Sequence, residues 1–135
     1  MKLPLCCVVF AVAAAACGGG NKVTGPVPCD TYTGGIIGTG ALPGTYDLKS
    51  VCSGMKPDQP GASGTVIITQ TAFTAAIGPT TYSGMYTLSN PDGITVNLTS
   101  PLPTQLVGTY RLRNDSLAVS GTVAGQRLSL VGTRQ

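Results

Sequence analysis

The sequence offers little material for catalysis. A serine or cysteine nucleophile needs a base beside it, and the chain contains no histidine. Acid–base chemistry by paired carboxylates needs two of them in one cleft, and all five acidic residues here are aspartates. Asp58, Asp92 and Asp115 fall among turn residues, and Asp47 alternates with apolar neighbours and is expected to point outward. We therefore predict that the protein is not an enzyme and carries no cofactor.

The first 17 residues are typical of an export signal that ends at a cysteine. A basic start, Met1-Lys2, precedes the uncharged run Leu3–Ala16, which is too short to span a bilayer as a helix. Ala14-Ala15-Ala16-Cys17 resembles a bacterial lipobox, with alanine where the first residue is usually leucine. The resemblance implies a signal peptide over residues 1–16 and a thioether-linked diacylglycerol on Cys17. The alternative is an ordinary secretory signal that leaves Cys17 as a free thiol.

A lipid on Cys17 would attach the mature protein to the bacterial cell envelope. Two or three acyl chains on one residue give stable anchoring, whereas one chain is marginal. Gly18 stands where an aspartate commonly retains lipoproteins on the inner membrane, so the resemblance implies the outer membrane in a bacterium that has one. Residues 18–28 contain glycine and proline without periodicity and predict a flexible tether. The basic residues are scattered along the chain, which argues against a nucleic-acid partner.

Two cysteines remain for the mature domain. Cys6 and Cys7 lie within the signal, and Cys17 is the lipidation site. The remaining pair, Cys29 and Cys52, indicates a disulfide in an exported protein, worth about 3 kcal/mol on a chain-entropy model. Two free thiols are the alternative. A metal site is disfavoured, because two cysteines without histidine cannot complete a tetrahedral zinc shell.

The segment between Cys29 and the first predicted strand is rich in glycine. Its run Gly34–Gly40 could in principle cradle a phosphate, but no Lys-Ser or Lys-Thr pair follows it. We expect instead a segment that is pinned by Cys29 and packed by Ile36 and Ile37. It completes the stretch 17–41, which holds the lipidated cysteine, the tether and this glycine-rich part.

From residue 42 to residue 135 the apolar residues recur at every second position, which is the period of a half-buried strand. Eight such segments are separated by turn residues such as Asn90-Pro91-Asp92-Gly93. Short connections imply antiparallel neighbours, and eight strands with one apolar face close most simply into a barrel. The predicted fold class is therefore all-β, a small up-and-down antiparallel barrel. The side chains predicted to face its interior are Tyr46, Leu48, Val66, Ile68, Phe73, Ile77, Tyr82, Tyr86, Leu88, Ile94, Val96, Leu98, Leu106, Tyr110, Leu112, Leu117, Val119, Leu128 and Leu130.

One five-residue pattern occurs three times, as Gly44-Thr45-Tyr46-Asp47-Leu48, Gly84-Met85-Tyr86-Thr87-Leu88 and Gly108-Thr109-Tyr110-Arg111-Leu112. Glycine, tyrosine and leucine share a face and are expected inside, which leaves Thr109 and Arg111 exposed to solvent. With these strands, the strand count and the meander order, the chain resembles the lipocalin-like (calycin) lipoproteins of bacteria over about residues 42–135. Gly44-Thr45-Tyr46 stands where lipocalins carry Gly-x-Trp on the first strand. The resemblance implies an arginine packed across that aromatic ring, and Arg134 is the candidate.

An eight-stranded barrel either is filled by its own side chains or holds one small ligand. Inward tyrosines favour a ligand, because a buried hydroxyl needs a partner. The candidate ligand-binding residues are Tyr46, Phe73, Tyr82, Tyr86 and Tyr110. We expect a non-enzymatic, membrane-anchored protein that binds a small apolar ligand or an envelope partner. The alternatives, an inhibitor of a lytic enzyme or protease acting through the loop Ser53–Ser63 and a structural scaffold, are favoured by a filled interior.

Overall fold

A computed structural model describes residues 27–37, 42–56, 59–60 and 62–135 of the chain. The predicted signal, the predicted lipidation site Cys17 and residues 18–26 of the predicted tether lie outside the described residues. So do residues 38–41 of the glycine-rich segment.

The described residues form nine β-strands. They are β1 (Gly44–Ser53), β2 (Gln59–Pro60), β3 (Gly64–Ile68), β4 (Ala72–Ile77), β5 (Thr80–Ser89), β6 (Gly93–Ser100), β7 (Thr104–Arg113), β8 (Ser116–Val123) and β9 (Gln126–Arg134). In this part of the chain there is no helix long and apolar enough to cross a membrane.

The sheet closes into a barrel of eight strands. From β3 to β9 each strand pairs antiparallel with the next, and β1 pairs with β3 on one edge and with β9 on the other. The short β2 pairs with Ser50 and Val51 and prolongs the edge of β1 beyond β3. The prediction of an all-β, up-and-down antiparallel barrel of eight strands is confirmed.

The predicted register of the strands is also correct. Tyr46 and Tyr110 are fully buried, and Leu106, Leu112 and Leu117 are buried beside them in the core. The hairpin turns form where turn chemistry predicts them, and Asn114 and Ala124 adopt left-handed backbone conformations there with φ of 51° and 48°. The alternation of apolar and polar residues therefore decides which face of each strand points inward.

The two ends of the barrel differ in how tightly they are packed. One end holds the start of β1 and the turns that follow β3, β5 and β7, and its interior is filled by buried side chains that include Leu42, Tyr46 and Tyr110. We call it the sealed end. The other end holds the end of β1 and the turns that follow β4, β6 and β8, and inward residues there, such as Ile77 and Leu128, are only half-buried. We call it the mouth.

Residues 27–37 form a strap along the outside of the barrel, from the mouth to the sealed end. At the mouth, Cys29 forms the predicted disulfide with Cys52, with a Cα–Cα distance of 5.7 Å. The predicted disulfide is thereby confirmed, and it attaches the first residues of the strap to the far end of β1.

Pro28 forms an isolated β-bridge with Met55, just after β1, and the Val27 carbonyl accepts a hydrogen bond from the amide of Lys56. The prediction that the flexible tether extends to residue 28 is therefore wrong for Val27 and Pro28, because both are paired to the barrel.

Further along, the strap is hydrogen-bonded to the outer wall. The amide of Tyr32 donates to Ser120 Oγ at 2.7 Å, and Thr109 Oγ1 donates to the Tyr32 carbonyl at 2.5 Å. The Arg111 guanidinium carbon lies 5.4 Å from the centroid of the Tyr32 ring. The expectation that Thr109 and Arg111 are exposed is therefore wrong. Both point outward as the register requires, but the strap lies over them.

At the sealed end the strap turns over the edge of the barrel. The amide of Gly34 donates to the Asp92 carboxylate at 2.7 Å. A Cβ on Gly35 would lie 2.6 Å from the Tyr110 ring, so only glycine allows the strap to come this close. The side chains of Ile36 and Ile37 are exposed, which corrects the expectation that they pack this segment. The segment packs against the barrel through Gly35 instead, because the lack of a side chain there lets the main chain lie against the Tyr110 ring.

Candidate functional site

A cavity occupies the barrel interior above the sealed end, and it opens at the mouth. Its volume is about 470 Å³. It is lined by Leu42, Val51, Ser53, Ile68, Phe73, Ala75, Ile77, Tyr82, Tyr86, Ile94, Val96, Leu98, Thr104, Leu106, Leu117, Val119, Val123, Ala124, Gln126, Arg127, Leu128 and Leu130. We refer to this cavity as the cup. The inward side chains therefore leave room between them, and the described barrel is not filled.

The cup is apolar along its walls and polar at its rim. Apart from Tyr82 and Tyr86, the polar side chains in its lining are Ser53, Thr104, Gln126 and Arg127. All four lie at strand ends on the mouth side. Arg127 also donates a hydrogen bond to Thr31 Oγ1 of the strap, so the strap holds this cation beside the mouth. Such a site can take an apolar body into the barrel and leave a polar group at the opening.

The five residues predicted to bind a ligand divide between two places. Phe73, Tyr82 and Tyr86 line the cup. Tyr46 and Tyr110 do not; they lie beneath it, in the packing of the sealed end. Three of the tyrosine hydroxyls are used by the fold, because each donates to a main-chain carbonyl. The donor–acceptor pairs are Tyr46 to Leu42 at 2.7 Å, Tyr86 to Thr69 at 2.7 Å, and Tyr110 to Ile36.

Tyr82 differs from the other inward tyrosines. It is half-buried on the mouth side of β5, opposite Ala75 of β4. Its hydroxyl makes no hydrogen bond to any residue in the described ranges. The hydroxyl is not among the buried unpartnered atoms of the described residues, so it is open to solvent or to a ligand. Among the predicted ligand-binding tyrosines, Tyr82 is therefore the one with a polar group left to offer a ligand.

Burial affects the protonation of two inward tyrosines, Tyr86 and Tyr110. It raises the pKa of Tyr86, and the neighbouring Tyr46 and Tyr110 raise it further. Burial also raises the pKa of Tyr110, with a second contribution from the Asp92 carboxylate. Because both phenols hold their protons at physiological pH, they act as hydrogen-bond donors and not as charged or nucleophilic groups.

Arg134 packs across the first Gly-x-Tyr strand. Its guanidinium carbon lies 5.3 Å from the centroid of the Tyr46 ring, and its Nη2 donates to the Tyr46 hydroxyl at 2.7 Å. Gly44 leaves the space beside this pair, since a Cβ there would be 3.4 Å from Arg134 Nε. This is the arginine–aromatic contact that the family resemblance implied. It closes the sealed end from the side of β1 and β9.

Sequence reasoning missed residues at both ends of the cup. Leu42 is buried and contributes to the floor of the cup, which is its closed end above the sealed end of the barrel. It stands alone between a glycine-rich stretch and Pro43, so no alternation of apolar and polar residues indicates that it points inward. Gln126 and Arg127 form part of the rim. They belong to the polar start of β9, which the alternation pattern alone does not distinguish from a solvated strand end.

Comparisons with known proteins bear on the fold. No protein-family model matches the chain, and no curated protein does. Among solved structures, the chain is similar to a de novo designed fluorescence-activating β-barrel, with 20% sequence identity and a TM-score of 0.50. The similarity covers 72% of this chain and 96% of the designed one. At this identity the likeness shows the architecture alone, a small antiparallel β-barrel.

Proposed function

We propose that this chain is a lipid-anchored lipoprotein of the bacterial cell envelope whose lipocalin-like barrel binds a small apolar ligand. The observation that carries the proposal is the cup of about 470 Å³ with its apolar walls and open mouth. This volume lies within the range of about 300–1,000 Å³ that is usual for small-molecule sites. Burial of apolar ligand surface, at about 25 cal/mol per Å², supplies the driving force.

The cup favours this function over the alternatives. An inhibitor or a scaffold needs only a stable barrel, and its interior would be filled to native packing density, since an empty apolar space costs stability. An enzyme would need an acid or base near its substrate. None of the described residues that line the cup is a histidine, a cysteine or a carboxylate. Binding without catalysis is therefore the function that the lining supports best.

The ligand proposal is tested by filling the cup. Ala75 is buried and lines the cup, whereas the next residue, Ala76, is exposed on the outer wall. Ala75→Phe should weaken binding of a fluorescent apolar probe by at least about tenfold, a difference of about 1.4 kcal/mol. Ala76→Phe, the same change one residue away, should bind the probe as the unmodified protein does. Circular dichroism verifies that both variants are folded, and equal probe binding by the two variants would refute the proposal.

The anchor has a separate test. Cys17→Ala should abolish membrane association and incorporation of labelled fatty acid, because the proposed thioether linkage needs the cysteine sulfur. The matched control is Cys7→Ala, which changes a cysteine inside the predicted signal and should leave both unchanged. Normal membrane fractionation and acyl labelling of Cys17→Ala would show that the lipoprotein interpretation is wrong.

A further inference from the structure

We infer that the mouth of the barrel faces the membrane and that its rim contacts the bilayer, so that the cup opens toward the lipid surface. This inference rests on the proposed lipid anchor and deepens it, because it adds a second contact between protein and membrane. It concerns the orientation of the barrel and the surface that touches lipid, neither of which follows from lipidation alone.

The first observation is the place where the N-terminal chain joins the barrel. The strap begins at the mouth, where the amide of Lys56 donates to the Val27 carbonyl at 2.7 Å. The next residues are held by the bridge to Met55 and the disulfide to Cys52. Any chain that leads from the proposed lipid to the barrel therefore arrives at the mouth, and not at the sealed end.

The second observation is the length of chain available. Val27 follows Cys17 by only ten residues. A flexible tether of that length, which the composition predicts, has a root-mean-square span of about 16–19 Å. A ten-residue strand such as β7 is about 33 Å long, or about 25 Å along the axis of a barrel with the usual strand tilt. A sealed end that faced the bilayer would require the tether to run back along the whole wall, so the mouth is favoured.

The third observation is the chemistry of the rim. Leu102, in the connection between β6 and β7, is 74% exposed, Met55 is 53% exposed and Val27 is 38% exposed. These three apolar side chains lie at the mouth together with two cations, Arg127 and Lys56, and Lys56 forms a salt bridge of 2.7 Å with Asp30 of the strap. Apolar side chains beside basic groups suit the boundary between acyl chains and phosphate headgroups. Exposed apolar residues also lie on the wall and at the sealed end, so the anchor position selects the mouth and the rim chemistry supports it.

This orientation has a consequence for the ligand. An apolar molecule in the bilayer would enter the cup through a mouth that already touches the membrane. It would then not have to cross water, which is the unfavourable step for an apolar solute. The partner of the rim is the lipid surface itself, and no second protein is required to load the cup.

The test uses the absence of tryptophan from the sequence, so that each introduced tryptophan reports alone. The full lipidated chain is reconstituted in vesicles whose phospholipids carry bromine on their acyl chains. Leu102→Trp places the reporter on the rim. Ile36→Trp is the matched control, because Ile36 is an aliphatic residue of similar exposure, 60%, at the sealed end. We expect the emission of Leu102→Trp to lose intensity and shift to shorter wavelength, and that of Ile36→Trp to remain unchanged.

Quenching of Ile36→Trp, or of neither variant, would overturn the inference. The same samples are assayed for vesicle association and for binding of the apolar probe. Vesicle association and probe binding without quenching of Leu102→Trp would refute the orientation and leave the proposed function standing. Loss of vesicle association in the unmodified protein would refute both the anchor and the orientation.

Discussion

The three glycines of the Gly-x-Tyr strands are equivalent in the sequence but not in the structure, and this difference gives a sharp prediction. At Gly108 an added Cβ would overlap the carbonyl oxygen of Ser120 and lie 2.5 Å from the Cα of Gly121. At Gly84 it would overlap the carbonyl oxygen of Asn97. At Gly44 the nearest atom is Nε of Arg134 at 3.4 Å, an ordinary contact. Alanine should therefore be tolerated at only one of the three positions.

The expected loss of stability in Gly108→Ala follows from the main-chain atoms that the new methyl group would displace. The obstacles at Gly108 are main-chain atoms of β8, so β7 and β8 must separate around the substitution. Overpacking of this kind costs about 1–3 kcal/mol. Weakening the flanking ladder hydrogen bonds adds about 1 kcal/mol. Gly108→Ala should thus destabilise the protein by about 2–4 kcal/mol, a large part of the 5–15 kcal/mol typical of a domain.

Gly44→Ala is the matched control, and Gly84→Ala is the replicate. At Gly44 the flexible arginine can adjust, and alanine reduces the conformational entropy of the unfolded chain by about 0.4–1 kcal/mol. The free energy of unfolding should therefore change by less than about 1 kcal/mol, while Gly84→Ala should behave like Gly108→Ala. Urea denaturation followed by far-ultraviolet circular dichroism, with the disulfide intact, measures all three. Similar losses for Gly44→Ala and Gly108→Ala would refute the close approach of β7 and β8.

Three further predictions follow from the sealed end and the strap. Tyr110→Ala should lower the free energy of unfolding by about 3–5 kcal/mol because a buried ring is lost, and Tyr110→Phe by about 1 kcal/mol because the hydroxyl that donates to the strap is lost. Arg111→Ala removes a contact with the strap and should lower it by about 0.5–1 kcal/mol in the same urea titration. A larger loss for Arg111→Ala than for Tyr110→Ala would contradict the register. Replacing Cys29 and Cys52 together by serine should lower the free energy of unfolding by about 3 kcal/mol, and unchanged stability would show that the disulfide does not constrain the unfolded chain. Folding raises the pKa of Tyr86 and of Tyr110, so the unfolded chain loses these protons first as the pH rises. The free energy of unfolding should therefore fall as the pH rises above about 10. The fall should be smaller in Tyr86→Phe, and an identical pH dependence in that variant would contradict the raised pKa of Tyr86.

The walls of the barrel could be predicted from the sequence because their residues repeat with a physical period. Tyr46 and Leu48, or Ile94 and Val96, alternate with polar neighbours, and the alternation fixes both the strand and its inward face. The contact between Arg134 and Tyr46 could be predicted only from the resemblance to a family, because the two residues are 88 positions apart and no sequence period relates them.

The strap and the floor could not be predicted in this way. Ile36 and Ile37 have the apolar character of packing residues, yet the packing against the barrel is made by Gly35, whose missing side chain carries no hydrophobic signal. The same limitation applies to the inward tyrosines. A buried hydroxyl needs a partner, but the sequence does not show that the partner of Tyr110 is a main-chain carbonyl of the strap. Whether an interior is filled depends on side-chain volumes summed over eight strands, which periodicity does not measure.

The disulfide at the start of the strap determines how the barrel carries a mechanical load. Tension applied to the chain before Cys29 passes through a covalent bond to Cys52 and enters the barrel at the far end of β1, which is hydrogen-bonded on both edges. The rest of the strap and the floor residue Leu42 lie beyond that branch point and bear none of the pull. With the bond reduced, the same tension would peel the strap from the wall one hydrogen bond at a time. It would begin with the bond between Val27 and Lys56 at the mouth and reach the bond between Gly34 and Asp92 at the sealed end. The covalent branch thus separates a force on the chain before Cys29 from the element that closes the sealed end.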